Sequence, residues 1–86
     1  MAEQNNMVKT EDVIERIKDV ICHEYKDKKV FDKNVAYELG IEAKALSVQK
    51  TRNYIPYDEL TMFAIRRKVN VNWLFFGIGQ MEMSYA

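Results

Sequence analysis

DKNVAYELGIEAKALSVQKTR, residues Asp32 to Arg52, has the pattern of a short helix, a glycine turn and a second short helix. Ala36 stands four residues before Gly40, and Leu46 stands six after it. Two helices that cross steeply need a small side chain where their backbones come closest, and Ala36 meets that need. The turn needs a residue that tolerates positive φ, which Gly40 supplies without steric penalty. Ile41 and Leu46 then plug the angle between the helices. An ordinary αα-corner gives a similar pattern, so the rest of the chain has to be read beside this stretch.

The chain has 86 residues, enough for one domain with a modest core. A hydrophobic content of 48% is that of a globular protein. Formal charge is zero, which speaks against indiscriminate nucleic-acid binding. The charges are unevenly placed. Residues 1–25 hold Lys9, Arg16 and Lys18 against Glu3, Glu11, Asp12, Glu15, Asp19 and Glu24. Residues 43–68 hold Lys44, Lys50, Arg52, Arg66, Arg67 and Lys68 against only Asp58 and Glu59. The positive part overlaps the second helix of the motif. Cys22 has no partner for an internal disulfide, and no apolar run reaches the length of a membrane span. The first residues lack signal-peptide character. A cytoplasmic location is the expectation.

Residues 1–9 are polar, with Gln4, Asn5 and Asn6 together, and are expected to form a flexible tail. Thr10 is a candidate N-cap, and Glu11 and Asp12 then suit the helix dipole. A first helix is expected to about Tyr25. At about 100° per residue, Val13, Ile14, Ile17, Val20, Ile21 and Tyr25 share one arc. Cys22 and His23 fall off that arc, and the pair cannot supply the three or four ligands of a zinc site. Lys26, Lys28 and Lys29 make a basic loop that suits either phosphates or plain solvent. Val30 or Phe31 should anchor that loop, and Asp32 is a good N-cap for the second helix.

The third helix is expected from about Glu42 to Arg52. The helical wheel turns Ala45, Leu46 and Gln49 inward and Ala43, Lys44, Ser47, Val48 and Thr51 outward. A solvated face would carry more Glu and Lys. A face that approaches base edges needs small and polar side chains. Lys44 can donate to guanine O6 and N7, Ser47 can bond several bases, and Val48 can pack on a thymine methyl. Lys50, Thr51, Arg52 and Asn53 suit phosphate contacts, which position without specifying. The geometry is that of a helix-turn-helix whose second helix enters the major groove.

Ile55-Pro56 opens a fourth helix that runs to about Lys68, with proline in its first turn. Tyr57, Leu60, Phe63 and Ala64 form its core face. Arg66, Arg67 and Lys68 fall in the last turn, where cations suit the dipole as well as they would suit DNA. Met62 and Ile65 point away from Leu60. Asn70 can cap a short fifth helix, Val71 to Phe76, which stops at Gly77. Trp73, Leu74 and one of Phe75 and Phe76 should close the core. Gly77-Ile78-Gly79 follows no strand and is not a phosphate loop. In residues 80–86, Met81, Met83 and Tyr85 alternate with Glu82 and Ser84, the pattern of a short extended segment.

Taken in order, VIERIKDVI, VAYELGI, ALS, RNYIPYDEL and VNVNWLFFGIGQM resemble the N-terminal DNA-binding domain of phage CI-type repressors. That family lies within the lambda-repressor-like helix-turn-helix superfamily. The likeness covers about Val13 to Met81, and its tryptophan segment is the most diagnostic piece. It implies an all-α, compact five-helix domain over residues 10–79, with tails at 1–9 and 80–86. It implies operator binding as a dimer, with base contacts from Ala43, Lys44, Ser47 and Val48. The start of the second helix and the end of the third would touch phosphates, here Lys33, Thr51 and Arg52. Two residues depart from the pattern. Glu42 stands where the family usually has Ser or Thr as a cap, and Gln49 stands where it often has an aromatic. CI repressors usually continue into a self-cleaving, dimerising domain, to which nothing in these 86 residues corresponds.

The leading expectation is a sequence-specific DNA-binding transcriptional regulator, a phage-type repressor that occludes a near-palindromic operator as a homodimer. The candidate dimer contacts are the spare apolar residues Met62, Ile65, Phe75, Phe76, Met81, Met83 and Tyr85. The alternative is a protein-interaction module, an anti-repressor or adaptor on the same fold. Zero net charge, Glu42 and the apolar tail favour it. An enzyme is not expected, for want of a nucleophile–base pair, a metal cluster or a phosphate loop. No cofactor and no small-molecule ligand are implied.

Overall fold

A computed structural model describes residues 8–22, 25–26 and 28–82. Five helices follow in chain order: α1 (Thr10–Cys22), α2 (Asp32–Leu39), α3 (Ala43–Arg52), α4 (Tyr57–Arg67) and α5 (Val71–Phe76). The all-α expectation holds, helix for helix.

α1 places Val13, Ile14, Ile17 and Ile21 at spacings of three and four, and all four are buried. They meet Val35, Ala36, Leu39, Leu46, Leu60, Phe63, Ala64 and Leu74 in one core. Phe63, Ile17 and Ile21 are its largest fully buried side chains. The described part of α1 stops at Cys22, short of the expected end at Tyr25, although the Tyr25 amide still donates to the Ile21 carbonyl at 3.1 Å. His23 lies outside the described residues. Thr10 does not cap α1 as expected. It is the first helical residue and is buried, and its hydroxyl donates to the Tyr54 carbonyl at 2.8 Å.

The turn between α2 and α3 follows the sequence reading. Gly40 sits at φ 74° and ψ 28°. Its amide donates to the Tyr37 carbonyl, and the Ile41 amide donates to the Ala36 carbonyl at 3.0 Å. These bonds satisfy carbonyls that a helix end leaves open. A Cβ at Gly40 would meet nothing within 4 Å, so the glycine is required by its φ alone. Ala36 is buried at the corner, as its size predicted.

The cap of α2 differs from expectation. Phe31 is the N-cap, Asp32 is the first helical residue, and the Phe31 amide donates to Asn34 Oδ1 at 2.8 Å. Pro56 likewise stands just before α4, not in its first turn. Leu60, Phe63 and Ala64 are buried on α4. Tyr57, expected beside them, is exposed, and its ring lies 5.5 Å from that of Phe75. α5 is capped as read: the Asn70 side chain accepts from the Asn72 amide, and Gly77 ends the helix at φ 73°. Arg16 of α1 reaches across and donates to the Leu74 carbonyl at 3.0 Å.

The chain packs further in both directions than the tails first suggested. Val8 is buried. Beyond α5, the Asn70 amide donates to the Met81 carbonyl at 2.8 Å, Asn70 Nδ2 donates to the Gln80 carbonyl, and Val69 and Glu82 form an antiparallel bridge. Of the segment read from the alternation, residues 80–82 are described: Met81 lies in a bend, and a single bridge at Glu82 ties the chain to the body. Met83 and Tyr85 lie outside the described residues.

Candidate nucleic-acid interface

α3 carries the site. Its start is built by Glu42, whose backbone is extended at φ −75° and ψ 146° and whose side chain makes no capping bond. Its end is built by Asn53, a non-glycine residue at φ 53°. Asparagine tolerates that conformation better than most residues. Between them, Leu46 is the buried anchor, while Ala45 and Gln49 are half-buried. Ala43, Lys44, Ser47, Val48 and Thr51 are all exposed. The four base-reading candidates thus share one open face, as the wheel placed them. Thr51 Oγ1 donates back to the Ser47 carbonyl at 3.1 Å.

The five phosphate candidates fall into two groups. Lys33, Thr51 and Arg52 are exposed. Lys50 and Asn53 have partners within the protein. Lys50 Nζ lies 2.8 Å from Asp32 Oδ2. Asn53 Oδ1 accepts from the Thr10 amide at 2.8 Å and, at 3.2 Å, shares the Thr10 hydroxyl proton with the Tyr54 carbonyl.

Asp32 is a meeting point of three helices. Lys18 of α1 approaches its other oxygen at 2.8 Å, and Lys18 also lies 3.4 Å from Glu15 Oε2. The hydrogen bonds from Lys18 and then Lys50 hold the Asp32 carboxyl below its ordinary value, against a smaller opposing effect of burial. The same bond to Asp32 raises Lys18. Next to this cluster, Lys29 and Lys33 stand 5.3 and 5.9 Å from the centre of the Phe31 ring, in the range of cation–π attraction. The entry to α2 is therefore a basic corner beside α3, and its lysines come from α1, the loop, α2 and α3.

Reading the sequence missed Lys18. It lies off the core arc of α1 and 14 positions before Asp32 in sequence. No local pattern joins the two. The basic cluster at the end of α4, by contrast, is engaged in the fold. Arg66 donates to the Glu38 carbonyl at 2.7 Å, and Arg67 pairs with the Glu38 carboxylate. Both bonds fasten α4 to the end of α2.

The candidate dimer contacts do not form one group. Phe75 is half-buried against the core, so Phe76 is the exposed member of that pair. Met81 is half-buried and its carbonyl is bonded. Met62 and Ile65 are 52% and 64% exposed on α4. Among the described residues, no group of three or more His, Cys, Asp or Glu could hold a metal ion. No helix there is long and apolar enough to cross a membrane.

Two helices joined by a left-handed glycine, the second exposing a small, polar face, on a support of three more helices, define a helix-turn-helix domain. A family model for the bacteriophage CI repressor helix-turn-helix domain matches residues 12–82. The chain belongs to that family, one of DNA-binding repressor domains. The match runs from the first turn of α1 to Glu82, so it includes the bridged segment after α5. No curated protein and no solved structure matches the chain.

Proposed function

We propose that this domain is a sequence-specific DNA-binding regulator that represses by occupying a near-palindromic operator as a homodimer. The observation that carries this reading is the outward face of α3. Ala43, Lys44, Ser47, Val48 and Thr51 are exposed together, with no acidic residue among them. Short side chains let the helix approach base edges, and Lys44 and Ser47 bring donors to that face. Lys33 at the start of α2 and Arg52 at the end of α3 flank it and can hold phosphates on either side. One such helix reads only a few base pairs, so pairing on two half-sites supplies the rest of the specificity.

Selection of bound duplexes from a random library, run at two salt concentrations, tests this reading. The expected result is a two-fold-related consensus that persists at the higher salt. Recovery of unrelated sequences at low salt, and of none at high salt, would overturn it.

A second reading, a protein-interaction module such as an anti-repressor or adaptor, has its own support. Glu42 places an exposed carboxylate at the start of α3, where it would oppose a phosphate, and Lys50 is already paired with Asp32. On that reading the library yields no consensus at either salt concentration.

A further inference from the structure

Asp32 holds two lysines from two other helices, one on each carboxylate oxygen, both at 2.8 Å. An arrangement of two cations around one anion at a helix entry is also how a phosphate is held. The three side chains remain accessible: Asp32 is 40% exposed, Lys50 31% and Lys18 23%. Partly exposed pairs of this kind contribute little to stability, so fold alone is a weak reason for the cluster. Its position is specific. Asp32 is the first residue of α2, one residue before the open Lys33, and Lys50 stands on α3 between Gln49 and the open Thr51. The neighbouring Lys29 and Lys33 are ranged over the Phe31 ring, so among the described residues four lysines gather around Asp32 and Glu15.

We infer that Asp32 stands in for a DNA backbone phosphate, closing a clamp made by Lys18 and Lys50, and that it thereby restrains binding to DNA of any sequence. This rests on the DNA-binding reading above. In the free protein the carboxylate accepts one hydrogen bond from each ammonium group. A phosphate that approaches the entry of α2 meets Asp32 as a like charge and must compete with it for both lysines. Non-specific affinity, which phosphate contacts supply, is lowered. Specific affinity is lowered by the same factor, while base contacts from Lys44 and Ser47 are untouched. A domain with zero formal charge then depends more on base reading and less on charge.

The experiment compares the full chain with Asp32→Asn, which keeps the shape of the side chain and removes its charge. Binding to a random-sequence duplex is measured by anisotropy across a salt series. Asp32→Asn is expected to bind about tenfold more tightly at low salt. Its log–log salt slope should steepen by about 0.9 for each lysine that gains a phosphate. Adding Lys50→Ala to Asp32→Asn should return most of that gain. Circular dichroism melts confirm that each variant is folded; if Asp32→Asn is not, Asp32→Ser serves in its place. Native protein that binds, with a folded variant of unchanged affinity and slope, would overturn the clamp and leave the DNA reading standing. Failure of both proteins to bind any duplex would overturn the two together.

Discussion

Thr10, at the start of α1, and Asn53, at the end of α3, are joined twice through one oxygen. Asn53 Oδ1 accepts from the Thr10 amide at 2.8 Å, and at 3.2 Å it shares the single Thr10 hydroxyl proton with the closer Tyr54 carbonyl at 2.8 Å. The Thr10 amide is one of the donors that a helix start leaves open, and a residue 43 positions away closes it. Asn53 is also held at φ 53°, where few other side chains are comfortable. Asn53→Ala should therefore lose both the acceptor and the preferred conformer. The expected cost is about 1–3 kcal/mol, read from urea or thermal unfolding. Asn53→Gly keeps the backbone conformation and should cost less. Equal stability of native protein and Asn53→Ala would show that the link is ornamental. Neither substitution removes a charge, so the salt slope of DNA binding should stay the same.

Gln49 Oε1 is buried with no hydrogen-bond partner among the described residues. It stands inside the helix-turn-helix, where the wheel turned it inward. A buried acceptor left unpaired costs about 1–3 kcal/mol. Gln49→Leu removes the acceptor at similar volume, so it should raise the melting temperature, with a gain of up to that size. A fall in stability would mean that Gln49 is satisfied after all.

Asp32 gives the fold a pH dependence with a definite sign. Its carboxyl titrates below the ordinary 3.8, because Lys18 and Lys50 favour the charged form. Its contribution is thus complete above 3.8 and is lost as pH falls through the lower folded value. Lys18 is raised above 10.5, so its share is complete below 10.5 and is lost at still higher pH. The cluster is intact across the neutral range. Both groups are partly exposed, and solvent screening limits the effect to under about 1 kcal/mol. Native protein should exceed Asp32→Asn in stability by that small margin at pH 7, and the margin should close below pH 3.8. A margin that held or grew in acid would contradict the assigned pairing.

How far these features could be read in advance depends on how local they are. Gly40, Asn70 and Gly77 act through their own backbone or the next turn, and each does what its residue type implies. The buried rows Val13–Ile14–Ile17–Ile21 and Leu60–Phe63–Ala64 follow from helical period alone. The misreadings are tertiary. Asp32 and Thr10 were natural caps, but lysines from two other helices take the one, and the loop after α3 takes the other. Tyr57 had the period of a core residue and instead lies at the surface against Phe75. For the site, the open face of α3 was legible from the wheel. The engagement of Lys50 was not, because its partner lies 18 residues away on another helix.

Lys44 and Ser47 are the side chains on which sequence preference should depend. Lys44→Ala and Ser47→Ala should each cost about 1–3 kcal/mol on the selected operator and little on random duplex. Arg52→Ala should weaken both targets alike and reduce the salt slope by about 0.9. Titrations of the three variants against both duplexes separate the roles. Equal losses on operator and random DNA for Lys44→Ala would remove it from base reading.

In the proposed homodimer, Phe76 should contribute more than Met62. The Phe76 ring continues a row from Tyr57 through Phe75, with centroids 5.5 and 6.4 Å apart. Tyr57 and Phe76 are exposed, and Val71 and Ile78 are exposed on and just after α5. A ready-packed aromatic row loses little side-chain freedom on pairing, and aromatic anchors supply much of the affinity of small interfaces. Met62, in contrast, borders a shallow surface with Asp58, Glu59 and Arg66, whose charges would have to be desolvated. Truncation after Gln80 is an unsuitable probe, because Met81 and Glu82 are bonded to Asn70 and Val69. Point changes avoid that damage. In sedimentation equilibrium, Phe76→Asp should convert dimer to monomer, while Met62→Asp should shift the dissociation constant by less than about threefold. The reverse order would move the interface to α4. A native chain that stays monomeric at high concentration, both free and on operator DNA, would defeat the homodimer itself.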